Sequence, residues 1–371
     1  MQYWLRNVRV RIKALLGRRR LRFNNSVSLR NGDMDLSYPY SPSIVHQEVI
    51  RITEATLGYV SGDVTDWRDV AVTKLKELVG WQEPSVDNPS VESLWEADDE
   101  LGNYKKINIP NELHTFMPAY ICMPHHRFSG RWVICMQGHN SGMHNSLGLD
   151  KEHEKYKWEP HGDRDFATWC LQNGYGALCV EQRGLGERIE KRQQHKASHP
   201  CHDMAMQALA LGRTAIGERL YDVGSAINYL KHNHSNSGSI GVMGHSLGGT
   251  MSIYAAALYD EITFCIASGC FSSFDRSILN RYHCADLYVP KIRQYFEFGD
   301  VAGMITPKPL LLIQAVNDYL FPLSGVRTEY AKTKTIYMAM GVAHRLRLEI
   351  TQNGHRFSGQ LANVGKDVLG I

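Results

Sequence analysis

A serine flanked by glycines lies at the end of an apolar run, in the segment GHSLG at 244–248. The residues before it, 239–243, suit a buried strand, and those after it, 248–259, suit a helix. The spacing G-x-S-x-G between a strand and a helix is typical of a nucleophile elbow, a tight turn that lifts the serine hydroxyl above a sheet. Backbone N–H groups at the start of the helix also favour a developing negative charge. The sequence therefore predicts that Ser246 is a nucleophile.

A serine hydroxyl is a weak nucleophile, so it needs a histidine as base and a carboxylate that orients this histidine. Around such an elbow the order along the chain is serine, acid, histidine, each placed after a later strand. Asp318 follows the apolar run 308–316, and His355 follows the run 345–351. We therefore expect Ser246, Asp318 and His355 to meet at one edge of a sheet.

Other residues fit these two roles less well. His344 lies before the last apolar run rather than after it. Three aspartates lie in a long connection without a strand directly before them: Asp275, Asp286 and Asp300. The position after the run 262–270, which some hydrolases use for the acid, carries no carboxylate here. The sequence thus favours Asp318 and His355.

Two backbone N–H groups are needed to hold the oxyanion that forms during acyl transfer. One is predicted to be that of Leu247, the residue after the nucleophile. The second is assigned to His139, in the loop 137–142 that follows another apolar run. A plain turn built on Gly138 and Gly142 is the alternative interpretation of this loop.

Short apolar runs alternate with helical patterns over most of the chain. The strand candidates are 131–138, 175–184, 239–246, 262–270, 308–316 and 345–351. Most of these candidates are continuous apolar runs, which are typical of strands that are buried on both faces of a parallel sheet. Helical patterns occur at 161–173, 203–231 and 248–259, and a predicted antiparallel hairpin at 102–124 finishes the sheet edge. The pattern predicts the α/β class with a doubly wound sheet.

The domain organisation follows from these elements. We assign residues 1–95 to an N-terminal helical extension that serves as a cap or as a dimer arm, and residues 96–371 to the catalytic domain. Two long connections, 184–203 and 271–306, are expected to form a cap over the site, because insertions at this sheet edge build substrate pockets.

The formal net charge is only +3, and a value this small gives no reason to expect nucleic acid as a partner. The charges are, however, distributed unevenly along the chain. Residues 1–32 hold nine basic residues and no acid, so the rest of the chain has 32 basic and 38 acidic residues, a balance of −6. Apolar residues recur at helical spacing in 1–22, which predicts a basic amphipathic helix. Such a helix suits contact with a membrane surface or a partner, or packing on its own domain.

Cysteine usage points to a reducing, cytoplasmic setting, because eight cysteines are scattered along the chain without a CxxC pair. The triplet Cys201-His202-Asp203 does not predict a metal site, since adjacent residues on a helix point in different directions and no second cluster complements them. The GLG turn at 184–186 lacks the third glycine of a dinucleotide fingerprint. We therefore expect neither a metal nor a cofactor.

Taken together, these motifs make the chain resemble the α/β-hydrolase superfamily, and more narrowly its dienelactone-hydrolase-like and acetylxylan-esterase-like branch. The resemblance rests on segments 180–188, 212–230, 241–250 and 308–322, and it extends over about residues 95–371. It implies an eight-stranded, mostly parallel sheet and cofactor-free hydrolysis of small-molecule esters, from acetylated sugars to short carboxylic esters. Two residues depart from the pattern: Ser246 stands where dienelactone hydrolases use cysteine, and Gln137 replaces the histidine of a common His-Gly pair.

Two other functions stay open at this point. A peptidase or amidase can use the same fold, because the long connections can shape a peptide-sized pocket. A non-catalytic protein that binds a membrane or a partner through the basic helix in 1–22 is the third interpretation.

Overall fold

The computed structural model describes residues 41–84, 91–139, 141–154, 162–191, 199–234, 238–365 and 367. The chain divides between Ile52 and Thr53 into two compact units. The first contains helix α1 (Pro42–Ile52), which carries an ion pair between Glu48 and Arg51. The basic helix predicted within 1–22 lies outside the described residues. No helix in the described ranges has the length and apolar character needed to cross a bilayer.

The second unit is built around one sheet of nine strands. In chain order these are β1 (Glu92–Asp98), β2 (Gly102–Pro110), β3 (Phe116–Pro124), β4 (Arg131–Met136), β5 (Gly176–Val180), β6 (Ser239–His245), β7 (Ile262–Ser268), β8 (Leu310–Ala315) and β9 (Leu346–Thr351). Their order across the sheet is β1-β2-β3-β5-β4-β6-β7-β8-β9. Strands β5, β4 and β6 to β9 are parallel, whereas β1, β2 and β3 pair antiparallel at one edge. The predicted α/β class and mostly parallel sheet are confirmed.

The sheet has one strand more than the eight expected. Strand β1 lies largely within the region assigned to the N-terminal extension, and it pairs antiparallel with β2 at the outer edge. Six of its seven side chains are exposed, and only Trp95 is partly buried. An edge strand of this kind has no apolar alternation, so the sequence pattern does not reveal it.

Helices connect and cover the strands. They are α2 (Val64–Val79), α3 (Phe166–Gln172), α4 (His202–Ala210), α5 (Ala215–Asn233), α6 (Leu247–Leu258), α7 (Ile292–Tyr295), α8 (Phe298–Gly303), α9 (Leu323–Ala339) and α10 (Gly359–Gly365). The single helix expected over 203–231 is two helices. The break lies where Gly212 adopts a positive φ of 74° and the Thr214 hydroxyl caps α5 by accepting the Gly217 N–H at 2.9 Å.

Apolar side chains cover both faces of the parallel strands. Along β4, Trp132, Ile134 and Met136 belong to one buried cluster, whereas Val133 and Cys135 belong to the cluster on the opposite face. This alternation explains the continuous apolar runs in the sequence, because a residue on either face is excluded from water.

The connection 271–306 is packed into the protein rather than extended from it. Phe271, Phe274 and Phe296 are buried in the larger core cluster, and Phe271 and Phe274 contact the ring of Phe298. Tyr282 and Tyr288 are the contrasting cases, with 73% and 37% of their surface exposed. Most of the aromatic residues in this connection therefore stabilise the fold and do not line a substrate pocket.

Candidate active site

Ser246 lies in a strained turn between β6 and α6. Its backbone has φ 56° and ψ −123°, a conformation that residues with a side chain rarely adopt. A Cβ at Gly248 would overlap the carbonyl oxygen of Met136, and a Cβ at Gly244 would overlap the backbone of Gly248. The two glycines thus let the end of β6 and the start of α6 approach each other and β4 closely. The Ser246 N–H donates to the Ser268 carbonyl at 2.8 Å, which fixes the turn to β7.

The structure brings together the three side chains that the sequence selected. His355 Nε2 lies 2.9 Å from Ser246 Oγ, and His355 Nδ1 lies 2.7 Å from Asp318 Oδ2. Asp318 follows β8 and His355 follows β9, so each side chain comes from the carboxyl end of a parallel strand. The other oxygen of Asp318 accepts the N–H groups of Leu320 and Phe321 at 3.0 and 3.2 Å. Asp318 is therefore held in one orientation toward the imidazole.

Aromatic rings fix the plane of His355. The Phe321 ring is stacked on it at 5.9 Å between centroids, and the His245 ring lies 4.7 Å away. His245 is buried, and burial, together with the nearby His355, holds its pKa well below the usual value. It is therefore neutral at pH 7 and adds no positive charge beside His355.

The loop after β4 lies directly against the elbow. A Cβ at Gly138 would come within 3.3 Å of the Ser246 Cβ and 3.1 Å of the His245 carbonyl oxygen. Gln137 is buried, and its side-chain amide donates to Ser146 Oγ and to the Arg164 carbonyl, both at 2.8 Å. Gln137 thus anchors the loop through hydrogen bonds.

Of the two predicted oxyanion donors, His139 borders the pocket of Ser246, and Leu247 is the residue that directly follows this serine. Leu247 is the first residue of α6, where backbone N–H groups have no acceptor within the helix. His139 lines a pocket of about 140 Å³ that also contains Ser246 and His355. The remaining residues lining this pocket are Gly138, Arg164, His245 and Arg356.

Sequence reasoning missed the two arginines of this pocket. Arg356 directly follows His355, and this position could have indicated that it lies at the site. The sequence around Arg164 gives no such indication. Arg164 is brought to the site by the segment before α3, whose placement depends on tertiary packing. Both arginines line the pocket, and Arg356 Nη2 lies 3.7 Å from Asp163 Oδ1.

Glu181, at the end of β5, supports the loop that follows the predicted oxyanion segment. Its carboxylate oxygens accept the N–H groups of Met143 at 3.2 Å and Glu187 at 3.1 Å. Burial raises the pKa of Glu181 to about 7, although the two backbone donors act in the opposite direction. With a pKa of about 7, the buried Glu181 side chain is only partly ionised at neutral pH.

We expect the unfolding free energy of the Glu181→Gln variant to decrease less with rising pH than that of the wild type. An acid whose folded pKa is raised binds more protons in the folded state than in the unfolded state, where its pKa is about 4.3. Its contribution to folding is therefore present at low pH and is lost as the pH rises toward the folded pKa and past it. Between about pH 5 and pH 8, the unfolding free energy of the variant should fall by about 2 to 3 kcal/mol less than that of the wild type.

Urea unfolding at the two pH values measures this difference. The exposed Glu152→Gln substitution is the control and should leave the wild-type pH dependence unchanged. Equal falls for wild type and Glu181→Gln would contradict the assignment.

Outside the triad, one further cluster of donor atoms lies beside the His139 loop. Among the described residues, the side chains of His139, Cys201, Cys284 and Asp286 have ligand atoms within 4.8 Å of one another, a spacing that can hold a metal ion. His202 and Asp203, which follow Cys201 in the sequence, contact each other at 3.3 Å.

Comparison with known proteins supports the fold assignment. No family model matches the chain. A Bacillus subtilis (strain 168) protein named "Putative hydrolase YtaP" is 26% identical over 274 residues, which cover 72% of this chain and 87% of that protein. A solved structure from Bacteroides fragilis NCTC 9343, described as a "putative acetyl xylan esterase", has a TM-score of 0.68 at 16% identity and covers 92% of this chain and 91% of its own. The chain has the α/β-hydrolase fold.

A second solved structure has the same fold. A glucuronoyl esterase from Solibacter usitatus has a TM-score of 0.59 at 15% identity, with 85% of this chain and 97% of that chain covered. The predicted resemblance to α/β hydrolases and to acetylxylan esterases is thereby confirmed at the level of the fold. In this α/β-hydrolase fold, Ser246, Asp318 and His355 lie after β6, β8 and β9.

Proposed function

We propose that the protein is a serine hydrolase that cleaves small carboxylic esters, including acetyl esters of sugars, through Ser246, His355 and Asp318. The observation that carries this proposal is the position of the His355 ring, which contacts the Ser246 hydroxyl through one nitrogen and the Asp318 carboxylate through the other. A histidine in this position can accept a proton from serine while its charged form is stabilised by the carboxylate.

In the first half of the reaction, Ser246 Oγ attacks the ester carbonyl carbon and its proton passes to His355 Nε2. The N–H groups of Leu247 and His139 hold the oxyanion of the tetrahedral intermediate, each contributing roughly 3 to 4 kcal/mol to the transition state. The bond to the alcohol oxygen then breaks, and His355 gives its proton to the leaving alcohol. An acyl group remains on Ser246.

In the second half, water attacks the acyl carbon and gives a proton to His355. The intermediate collapses, the bond to Ser246 Oγ breaks, and His355 returns the proton to the serine. Asp318 stays ionised throughout, because it accepts the Nδ1–H bond and stabilises the imidazolium without taking its proton. The products are a carboxylic acid and an alcohol.

The proposed substrate class rests on the size of the site and on the solved structures that share its fold. The pocket at Ser246 has a volume of about 140 Å³, which favours a short acyl group. An adjoining cavity of about 370 Å³ shares Arg164 and is lined by residues of the connection 184–203, so it offers room for the alcohol part. The esterases with the same fold act on esters of carbohydrates according to their names, which makes acetylated sugars the first candidates.

Initial rates on a panel of substrates test the proposal. We expect turnover of p-nitrophenyl acetate and of acetylated xylose, and turnover of p-nitrophenyl octanoate at least about 10-fold slower, because a long acyl chain exceeds the pocket. The Ser246→Ala variant should be inactive, whereas Ser324→Ala, an exposed serine in α9, should match the wild type. Cleavage of alanine p-nitroanilide with poor ester turnover would instead support an amidase, and equal rates in wild type and Ser246→Ala would overturn the proposal.

A further inference from the structure

Four side chains from three distant segments meet next to the pocket of Ser246. His139 belongs to the loop after β4, Cys201 precedes α4, and Cys284 and Asp286 lie in the connection 271–306. His139 Nε2 lies 2.9 Å from Cys201 Sγ and 3.2 Å from Asp286 Oδ2. All four ligand atoms lie within 4.8 Å of one another.

These separations are close to those around a tetrahedral zinc ion. Zinc bonds to sulfur are about 2.3 Å long and those to imidazole nitrogen or carboxylate oxygen about 2.0 to 2.2 Å, so two ligands in a tetrahedral site lie about 3.3 to 3.8 Å apart. The two measured pairs are slightly shorter and the largest separation is at most 4.8 Å. Small side-chain rotations are sufficient to place the four atoms around one ion.

Burial and charge also fit a bound cation. Cys201 and Asp286 are fully buried, Cys284 is 8% exposed and the His139 side chain is 18% exposed, so three of the four ligands are shielded from water. Asp286 Oδ1 is buried and has no hydrogen-bond partner in the part of the chain that the structure describes. Burying a carboxylate oxygen without a partner costs free energy, whereas a metal ion would satisfy it.

The Arg219 guanidinium balances the net negative charge that a divalent ion and its ligands would have. Its Nη2 donates to Asp286 Oδ2 at 2.7 Å, and its Nε and Nη2 donate to the Arg183 carbonyl at 3.0 and 2.8 Å. A divalent ion with two thiolates and one carboxylate carries a net charge of −1, which the buried guanidinium neutralises. The same arginine orients the carboxylate, as hydrogen-bonding partners of metal ligands generally do.

We propose that His139, Cys201, Cys284 and Asp286 bind one zinc ion. Two thiolates and one imidazole select a soft or borderline metal rather than calcium or magnesium, and four protein ligands in a tetrahedral arrangement are typical of a structural zinc site. The ion joins both long connections to the loop of His139, a residue that borders the Ser246 pocket. It therefore positions this loop and takes no part in the chemistry.

Metal analysis of the untagged full-length protein tests this proposal. Protein purified under reducing conditions without chelator should contain about one zinc ion per chain, as measured by elemental mass spectrometry. After chelation, titration with Co²⁺ should produce the charge-transfer absorption of cobalt thiolate bonds at a stoichiometry of about one. The Cys284→Ser variant should bind at least about 10-fold less zinc, whereas His202→Ala, whose side chain is exposed beside Cys201, should retain it.

The wild-type measurements decide the proposal even if a variant fails to fold. A reduced wild type that takes up neither zinc nor cobalt would overturn it, and so would a Cys201–Cys284 disulfide found by peptide mass analysis in protein that was never exposed to oxidant. Full zinc retention in a folded Cys284→Ser variant would also overturn it. None of these readouts depends on ester hydrolysis, so the metal site and the proposed function are tested separately.

Discussion

Replacing His355 with alanine is expected to lower kcat for p-nitrophenyl acetate by about 10⁴- to 10⁶-fold. The loss is large because His355 is the group that lies within 2.9 Å of the Ser246 hydroxyl and can take its proton. Without that base the Ser246 hydroxyl keeps its proton at neutral pH, and a protonated hydroxyl is a weak nucleophile. The remaining activity should come from the oxyanion donors and from substrate binding.

A matched control exists at the other end of the same strand. His344 is exposed and lies just before β9, whereas His355 lies beyond its carboxyl end. His344→Ala should keep kcat and KM within about 2-fold of the wild type, because surface substitutions have small effects. Comparable losses for the two variants, or a folded His355→Ala variant with more than about a tenth of the wild-type kcat, would contradict the role of His355.

The Asp318→Asn substitution is expected to lower kcat by about 10⁴-fold with little change in KM. The carbonyl oxygen of asparagine would keep the bonds that Asp318 Oδ1 accepts from the Leu320 and Phe321 N–H groups. Its NH₂ group would then face His355 Nδ1, where the carboxylate oxygen now lies at 2.7 Å. An NH₂ donor at this position holds the histidine proton on Nε2, so Nε2 can no longer accept the proton of Ser246.

Steady-state kinetics with Asp275→Asn as the control test this prediction. Asp275 was a rival acid in the sequence and lies in the connection 271–306, so its substitution should leave kcat within about 2-fold. If Asp275→Asn caused the large loss and Asp318→Asn did not, the acid of the site would have to be reassigned.

The elements that position the triad were predictable because their physical signals are local. Most of the parallel strands are short apolar runs, and each proposed catalytic residue lies within four residues of the end of its strand. The order of Ser246, Asp318 and His355 along the chain then suffices to bring them to one sheet edge. Strand β1 was missed because its pairing with β2 depends on backbone hydrogen bonds at an edge, and its exposed side chains carry no apolar period.

The cluster around Asp286 could not be predicted for a different reason. Its four residues are separated by as many as 147 positions, only Cys284 and Asp286 are close in the sequence, and no CxxC pair is present. The sequence drew attention to His202 and Asp203 beside Cys201, but these side chains contact each other instead. Only the folding of two long connections over the sheet brings Cys201 to Cys284, and no local pattern encodes this contact.

The most direct test of the central claim is the reaction of the protein with a fluorophosphonate, followed by intact and peptide mass analysis. The account predicts one phosphonyl adduct per chain on Ser246, no adduct in Ser246→Ala, and labelling slower by at least about 10²-fold in His355→Ala. An unlabelled wild type, or an adduct on any other residue, would contradict it.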